Sequence, residues 1–590
     1  MRIITSPWPH TVENRKFLST VEIAPSCRSR TLTGRTLQRA RSTPFRMPWV
    51  ALLPLAIACA ALPVVACTSL LVTRGASADG SVMITYHCDG AGGFATLGIV
   101  PAMDHPPGEI IEIGPRDPVT KAPRGRIPQV PHTYKVVGGL INEHQLAISE
   151  TTFGGRTELI NTNGLMEYHH LMVLALQRAR TAREAIQVMT QLAADYGYES
   201  EGESISIADT QEAWILEIVG TGPGGKGAAW AAVRVPDGQI SCHANHARLA
   251  EIPRNDPANG LFSENVESLA VSKGWYDPKS GRPFRFCDAY CPATPLTRRI
   301  TDARVWSLLR RAAPSQSFSP DYHRSKPGAE PYPLCVRPDK KLTVADVFSL
   351  LRDHYEGTEF DMTQGIDAGP FHGPRRWRPL TFKVDGVEYC WERPISTQQT
   401  AFSSVSQSRA WLPNPVGGLV WYGMDDSYTT CYLPFYCCLD SVPKGFAAGS
   451  ITKFSWDSAW WVFNLAANYA YGRYSDMVPE IQAAQKDIES NLLALQPAVE
   501  KTALELAGSH TNLAVRYLTD YSVMHAELTL ERWRVLTEHL ITKYNDGYIR
   551  GEQGEYQETG YPEAWLRRVI QERTNQFRLP VEPPAPKAAQ

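Results

Sequence analysis

The sequence predicts an α+β protein in which two antiparallel sheets are stacked between two helical layers. Three observations carry this expectation. Short β-rich runs joined by turn residues fill the stretches after residue 67 and again around 204–245. A pair of amphipathic helical patterns lies between them, from Gly164 to about Tyr196. The order strands, helix pair, strands, with consecutive hairpins, favours antiparallel sheets covered by helices over a parallel βαβ array.

The elements follow in order. "TSLLVTRG" and "SVMITYHCD" read as strands joined by the turn-type "ASADG", and "KVVGGL" and "HQLAISETTF" as a second hairpin around Asn142-Glu143. In "TAREAIQVMTQLAADYGY", Thr181 is a candidate cap with Glu184 three residues on. Strands return in "SISIAD", "EAWILEIVG", "AWAAVRV" and "QISCHAN", the last two joined by Pro236-Asp237-Gly238. Residues 250–345 are loop-rich, and Thr343 caps the helix in "LTVADVFSLLRDHYEG". The chain is β-rich from Thr381 to Tyr432, then mainly helical from about Ser455 to Tyr548. The boundaries read as a leader (1–66), a catalytic region (67–450), an added mainly helical region (451–575) and a disordered tail (576–590).

At 43% hydrophobic and 20% charged over 590 residues, the chain can bury a large core. A net charge of -2 gives no field that favours nucleic acid or an anionic membrane surface. The 12 cysteines are too few for a disulfide scaffold; Cys287/Cys291 and Cys437/Cys438 are close pairs without the spacing of a zinc site. A disulfide or two stays open if the protein is exported.

Residues 1–46 are rich in Arg and Ser/Thr, with Met47 as an alternative start that would make them an over-extended reading frame. Pro48 to Ala66, "PWVALLPLAIACAALPVVA", is uncharged and apolar. Pro54 and Pro63 weaken it as a membrane span, and Val64-Val65-Ala66 suits signal-peptidase cleavage before Cys67. Three fates are open: a removed signal peptide, a lipoprotein signal with Cys67 lipidated, or a retained anchor. The expected location is periplasmic or secreted, with a membrane-anchored lipoprotein as the alternative.

Cys67 at the start of a strand is the leading chemical candidate, against a buried structural cysteine. Exposed by cleavage, it would carry thiol and α-amine on one residue. A free α-amine titrates at roughly 7.7–8.0, so it can take the thiol proton without tuning. Asp89, after the second strand, could hold that ammonium, or be a strand-end turn residue. Asn245, in "CHANHAR", could donate to an oxyanion, or be a turn residue. His243 and His246 suggest a metal pair but show no nearby carboxylate, so no metal is expected. "GTGPGG" (220–225) lacks the Lys-Ser/Thr of a P-loop and reads as a hairpin loop. "HYEGT" (354–358) and "RRWRP" (375–379) read as packing, or as an Arg site for a substrate carboxylate.

At this point "ACTSLLVTRGASADGSVMITYHCD" resembles the amino-terminal signature of the C69 dipeptidases, the dipeptidase A group of amino-terminal-nucleophile hydrolases. "INEHQLAISETTFGGR", "SISIADTQEAWILEIVG", "HANHARL", "DARVW", "LRDHYEGTEFDMT", "QQTAFSSVSQSRAWLP" and "DDSYTTCY" follow in the same order, to about residue 470. The resemblance implies a four-layer αββα fold and hydrolysis of dipeptides through a cysteine thioester, with no cofactor or metal; a related amide hydrolase acting on acyl-amino acids, penicillins or bile-salt-like amides, and a non-enzymatic peptide-binding lipoprotein lipidated at Cys67, are the alternatives. It implies no nucleic-acid partner and no stable membrane insertion after processing, and leaves an oligomer open. Cys67 matches the nucleophile, Asp89 the acid that supports the amino terminus, Asn245 the oxyanion Asn and Arg304 a late Arg. The chain departs from the wider relatives at Tyr86, where they carry Arg, and at Thr152, where they carry a second Asn. Tyr86, Asn142 and Thr152 are therefore expected on the substrate side.

Overall fold

A computed structural model describes residues 67–90, 93–113, 123–574 and 576–579. The leader with its signal, Met47 and the three fates of the segment before Cys67 lie outside the described residues, as does most of the tail.

The molecule is α+β. Its main strands are β1 (Ser69–Val72), β2 (Val82–Asp89), β3 (Ile99–Val100), β4 (Val136–Val137), β5 (Ile141–Asn142), β6 (Ala147–Phe153), β7 (Gly202–Ala208), β8 (Ala213–Val219), β9 (Ala229–Arg234), β10 (Ile240–His243), β11 (Gly260–Phe262), β12 (Cys335–Val336), β13 (Thr400–Ser408), β14 (Leu419–Met424) and β15 (Leu433–Tyr436). They form two antiparallel sheets, one in the order β12-β10-β1-β2-β13-β14-β15, the other β11-β9-β8-β7-β6-β5-β4-β3. β2 crosses β6 and β7, which stacks the sheets.

Helices cover both outer faces. α1 (Tyr168–Arg178) and α2 (Ala182–Tyr196) pack on β6 to β8. Thr181 Oγ1 accepts the Glu184 N–H at 3.2 Å, which satisfies one orphan donor of the first turn, and the Glu184 carboxylate accepts the Arg180 N–H just before the cap at 2.8 Å. On the other sheet lie α3 (Ala303–Ala312) against β10, α4 (Val344–Leu351) against β13, α5 (Ala459–Ala470) against β14, and α6 (Tyr474–Ser509) and α7 (Thr511–Lys543) against β15. Thr343 and Asp346 close a reciprocal capping box on α4. The long helices thus share one hydrophobic core with the sheets, with Trp421 from β14 and Trp533 from α7 both fully buried in it.

One connection differs from the sequence reading. Pro236-Asp237-Gly238 does reverse the chain, but β9 and β10 do not pair. β9 pairs with β8 and β11, whereas β10 pairs with β1 and β12 in the other sheet. The turn is docked on the opposite layer: the Gly75 N–H donates to Asp237 Oδ1 at 2.7 Å, and a Cβ at Gly75 would stand 2.7 Å from Gly238 N. A turn motif fixes a reversal, and the partner of the returning strand is set by where apolar surface remains to be covered. By contrast "GTGPGG" does join paired strands, β8 and β9.

His243 bolts the sheets together. From β10 its Nδ1 meets Thr151 Oγ1 and its Nε2 meets Ser206 Oγ, both at 2.7 Å, on β6 and β7. Burial drives its pKa down to about 3, so the folded imidazole stays neutral. The unfolded chain binds a proton near pH 6.5 that the folded chain refuses. Stability from this group is therefore complete above pH 6.5 and is lost as pH falls toward 3, by up to about 1.4 kcal/mol per pH unit. Urea-unfolding curves between pH 7 and 4 should show this slope, and His243→Gln should flatten it.

Candidate active site

β1 sits near the middle of its sheet, and its start is fixed from both sides. Thr68 and His87 exchange both backbone hydrogen bonds at 3.0 Å, in register with Leu71↔Ile84. Continued by one residue, that register sets Cys67 opposite Cys88. On the other edge Ser69↔His243 sets Cys67 opposite Asn245. Asp89 lies one residue beyond Cys88, past the Cys67 end of that ladder. A chain beginning at Cys67 would start beside that carboxylate.

The Cys67 thiol is fully buried and donates to Glu150 Oε1 at 3.7 Å. Glu150 reaches it from β6, which outruns β5, a neighbour paired with it only at Ala147. The Tyr86 hydroxyl donates to the same carboxylate oxygen. Contact with Cys88, burial and the charge of Glu150 hold the thiol well above the ordinary cysteine range. Left alone it is a neutral thiol, and it needs a base to become a nucleophile.

Arg304, on the first turn of α3, organises the backbone around it. Its buried guanidinium donates through Nη1 to Cys67 O (2.5 Å) and Thr68 Oγ1 (2.8 Å), through Nη2 to Asn245 Oδ1 (2.7 Å), and through Nε to Ile300 O (2.9 Å). Asn245 Nδ2 in turn donates to Thr152 O at 2.6 Å. Burial lowers the Arg304 pKa to about 9, which leaves it a cation at neutral pH. Both ends of the Asn245 amide are therefore oriented, and β6, α3 and the loop after β10 are tied to Cys67.

Asp89 is held by Arg393 Nη2 (2.5 Å), Thr400 Oγ1 (2.7 Å) and His87 Nδ1 (2.9 Å). Burial opposes its charge, but His87 and Arg393 outweigh burial and bring the carboxyl down to about 2. It is a fixed anion whose charge bears on both Cys67 and Arg304.

The structure thus gathers Cys67, Tyr86, Asp89, Thr152, Asn245 and Arg304. Asn142 is a correction to the substrate-side expectation. Its Nδ2 donates to Leu176 O and Ala179 O at the end of α1, and its Oδ1 accepts the N–H groups of His144 and Leu146. It anchors a turn and has no group left for a ligand. Glu150, Glu203, His87 and Arg393 belong to the site and were not singled out by sequence. His246 has the carboxylate that sequence did not reveal, Asp302 at 3.2 Å, and its Nε2 meets Cys291 O at 3.0 Å. Among the described residues, Glu167, His169 and His170 bring three ligand-type atoms within 4.8 Å. Glu167 is already paired with Arg124, and His170 Nδ1 accepts the Glu167 N–H, so a cation would have to break a helix cap and face a guanidinium. From "RRWRP", Arg375, Arg376 and Arg378 line a narrow cleft together with Arg393. The ten described cysteines are all free thiols.

The model of peptidase family C69 matches residues 115–487, a span that begins after Cys67 and includes Glu150, Asn245, Arg304 and Arg393. Similar proteins include a "Probable dipeptidase" of Salmonella dublin, 28% identical over 399 residues, covering 63% of this chain and 81% of that one. A "Probable dipeptidase" of Latilactobacillus sakei is 25% identical over 496 residues, 79% of this chain and 95% of the relative. A "Probable dipeptidase A" of Streptococcus pyogenes is 25% identical over 471 residues, 76% of this chain and 92% of the relative.

Because Arg304 and Asn245 act as one unit, their losses should overlap. Arg304→Lys keeps the charge but not the fork and should cost about 2–4 kcal/mol. Asn245→Ala should cost about 1–3 kcal/mol. In denaturant unfolding the double variant should fall short of the sum by about 1 kcal/mol or more; simple additivity would contradict the coupling.

Proposed function

The chain belongs to peptidase family C69, and we propose that it is a dipeptidase whose nucleophile is Cys67, exposed as a new amino terminus by export processing. The observation that carries this reading is the placement of Cys67 itself. It opens a central strand, with its carbonyl held by Arg304 and the Asp89 carboxylate one register step away. The two stacked sheets between helical layers fit the αββα sandwich of amino-terminal-nucleophile hydrolases, with α5 to α7 as part of one outer layer.

The chemistry follows from one residue. The α-amine of Cys67, near neutrality in its ordinary titration, accepts the thiol proton. The thiolate attacks the peptide carbonyl carbon, the C=O π bond opens, and the oxyanion is met by backbone N–H groups and by the oriented Asn245 amide. The ammonium returns its proton to the leaving nitrogen as the C–N bond breaks. The first amino acid remains as a thioester on Sγ. Water, deprotonated by the same amine, adds to the thioester, and loss of the thiolate frees the acid. Asp89, fixed as an anion by Arg393 and His87, steadies the ammonium when it forms.

The lipoprotein alternative would turn Sγ into a thioether. In this fold Sγ is fully buried against Glu150 and Cys88. Lipidation would remove both the attacking thiol and the free amine that this chemistry needs, so the proposal takes Cys67 as free and the enzyme as periplasmic or secreted. Among the described residues no helix is long and apolar enough to cross a membrane.

Cys67→Ala should lower kcat/KM for dipeptides by about 10³-fold or more, as the loss of a covalent nucleophile does. Retention of full dipeptidase activity by this variant would overturn the mechanism.

A further inference from the structure

Two buried carboxyl groups beside the Cys67 thiol have no role in the chemistry above. Glu150 Oε1 receives the Cys67 thiol and the Tyr86 hydroxyl. Thr152, two residues on, pairs with Glu203 across the β6–β7 ladder, and its hydroxyl donates to Glu203 Oε1 at 2.8 Å. The charge of Glu150 bears on Glu203. Both side chains are fully buried, and Glu203 Oε2 has no hydrogen-bond partner. Among the described residues no Arg, Lys or His forms an ion pair with either one, whereas the other buried carboxylate of the site, Asp89, has Arg393.

A buried anion without a counter-cation is costly, and such groups are normally paired. Burial and the charge of Glu150 push Glu203 well above the carboxylate range, and burial raises Glu150 as well, as expected of two buried carboxyl groups with no cation beside them. The missing partner is a compact cation that arrives with the substrate. We infer that Glu150, seconded by Glu203, is the recognition site for the free α-ammonium group of the peptide that Cys67 attacks.

The distances allow it. In an α-amino acyl group the nitrogen lies about 2.5 Å from the carbonyl carbon. A carbon about 3.2 Å from Sγ and an ammonium about 2.8 Å from Glu150 Oε1 then close a quadrilateral with the 3.7 Å between Sγ and Oε1. The inference rests on the dipeptidase reading and deepens it: it defines the substrate class as peptides with an unblocked amino terminus. N-acylated peptides and acyl amides would place an uncharged group on a buried carboxylate.

The test uses binding, so that it does not depend on turnover. In the processed protein carrying Cys67→Ala, calorimetry should show a free dipeptide binding at least about 30-fold more tightly than its desamino and N-acetyl analogues, as expected for a buried charge-assisted contact. Glu150→Gln added to that background preserves shape and should shrink the gap to under about 3-fold, and Glu203→Gln should narrow it in the same direction. Equal affinity for free and blocked peptides would overturn the assignment, as would a gap that survives Glu150→Gln. Hydrolysis by the Cys67→Ala parent would instead refute the nucleophile and leave the binding result to stand alone.

Discussion

The guanidinium of Arg304 holds the carbonyl of Cys67, and much of the site is arranged around that bond. A strand end is ordinarily the least constrained part of a sheet. Here Cys67 is flanked by two ladders, and its one remaining backbone acceptor is taken by a cation that is itself fully buried. The same guanidinium orients Asn245, which in turn fixes the carbonyl of Thr152 on the opposite sheet. The carbonyl of Cys67 and the Asn245 amide are therefore both held by one residue on α3; in the proposed mechanism these belong to the nucleophile and to the oxyanion donor. That precision is what a near-attack geometry requires, since a displacement of about 1 Å is costly in rate.

Charge alternates through the interior in a way that assigns work to each group. Asp89 is clamped by Arg393 and His87 and stays ionised, so it can steady a positive charge at the start of the processed chain. The Cys67 thiol, beside Cys88 and Glu150, stays protonated until a base acts on it. Glu150 and Glu203 lie near the thiol with no Arg, Lys or His in an ion pair with them among the described residues, and the proposed role of a substrate ammonium is to supply that cation. A buried charge set beside the nucleophile would select the peptide bond next to a free amino terminus, because the α-ammonium lies a fixed distance from that carbonyl.

Much of this was legible in the sequence because it lies in contiguous motifs. Cys67 and Asp89 stand at the two ends of adjoining strands, Asn245 follows a strand directly, and Arg304 opens a helix. The C69 resemblance carried roles to each. What was missed depends on long-range contact. Glu150 lies 83 residues from Cys67 and Arg393 lies 304 from Asp89, and neither has a local pattern that marks it. Asn142 was misread for the complementary reason: an Asn after a strand resembles a ligand until the carbonyls of a neighbouring helix are seen to take its amide. Pro236-Asp237-Gly238 predicted a reversal correctly, yet the layer to which the chain returns is decided by tertiary packing.

In the proposed mechanism, export processing itself creates the catalytic group. Intact-mass measurement with amino-terminal sequencing of the protein recovered after export should find a chain that begins at Cys67 with an unmodified thiol and a free α-amine. A mature protein in which Cys67 is internal, or in which it is acylated, would contradict it.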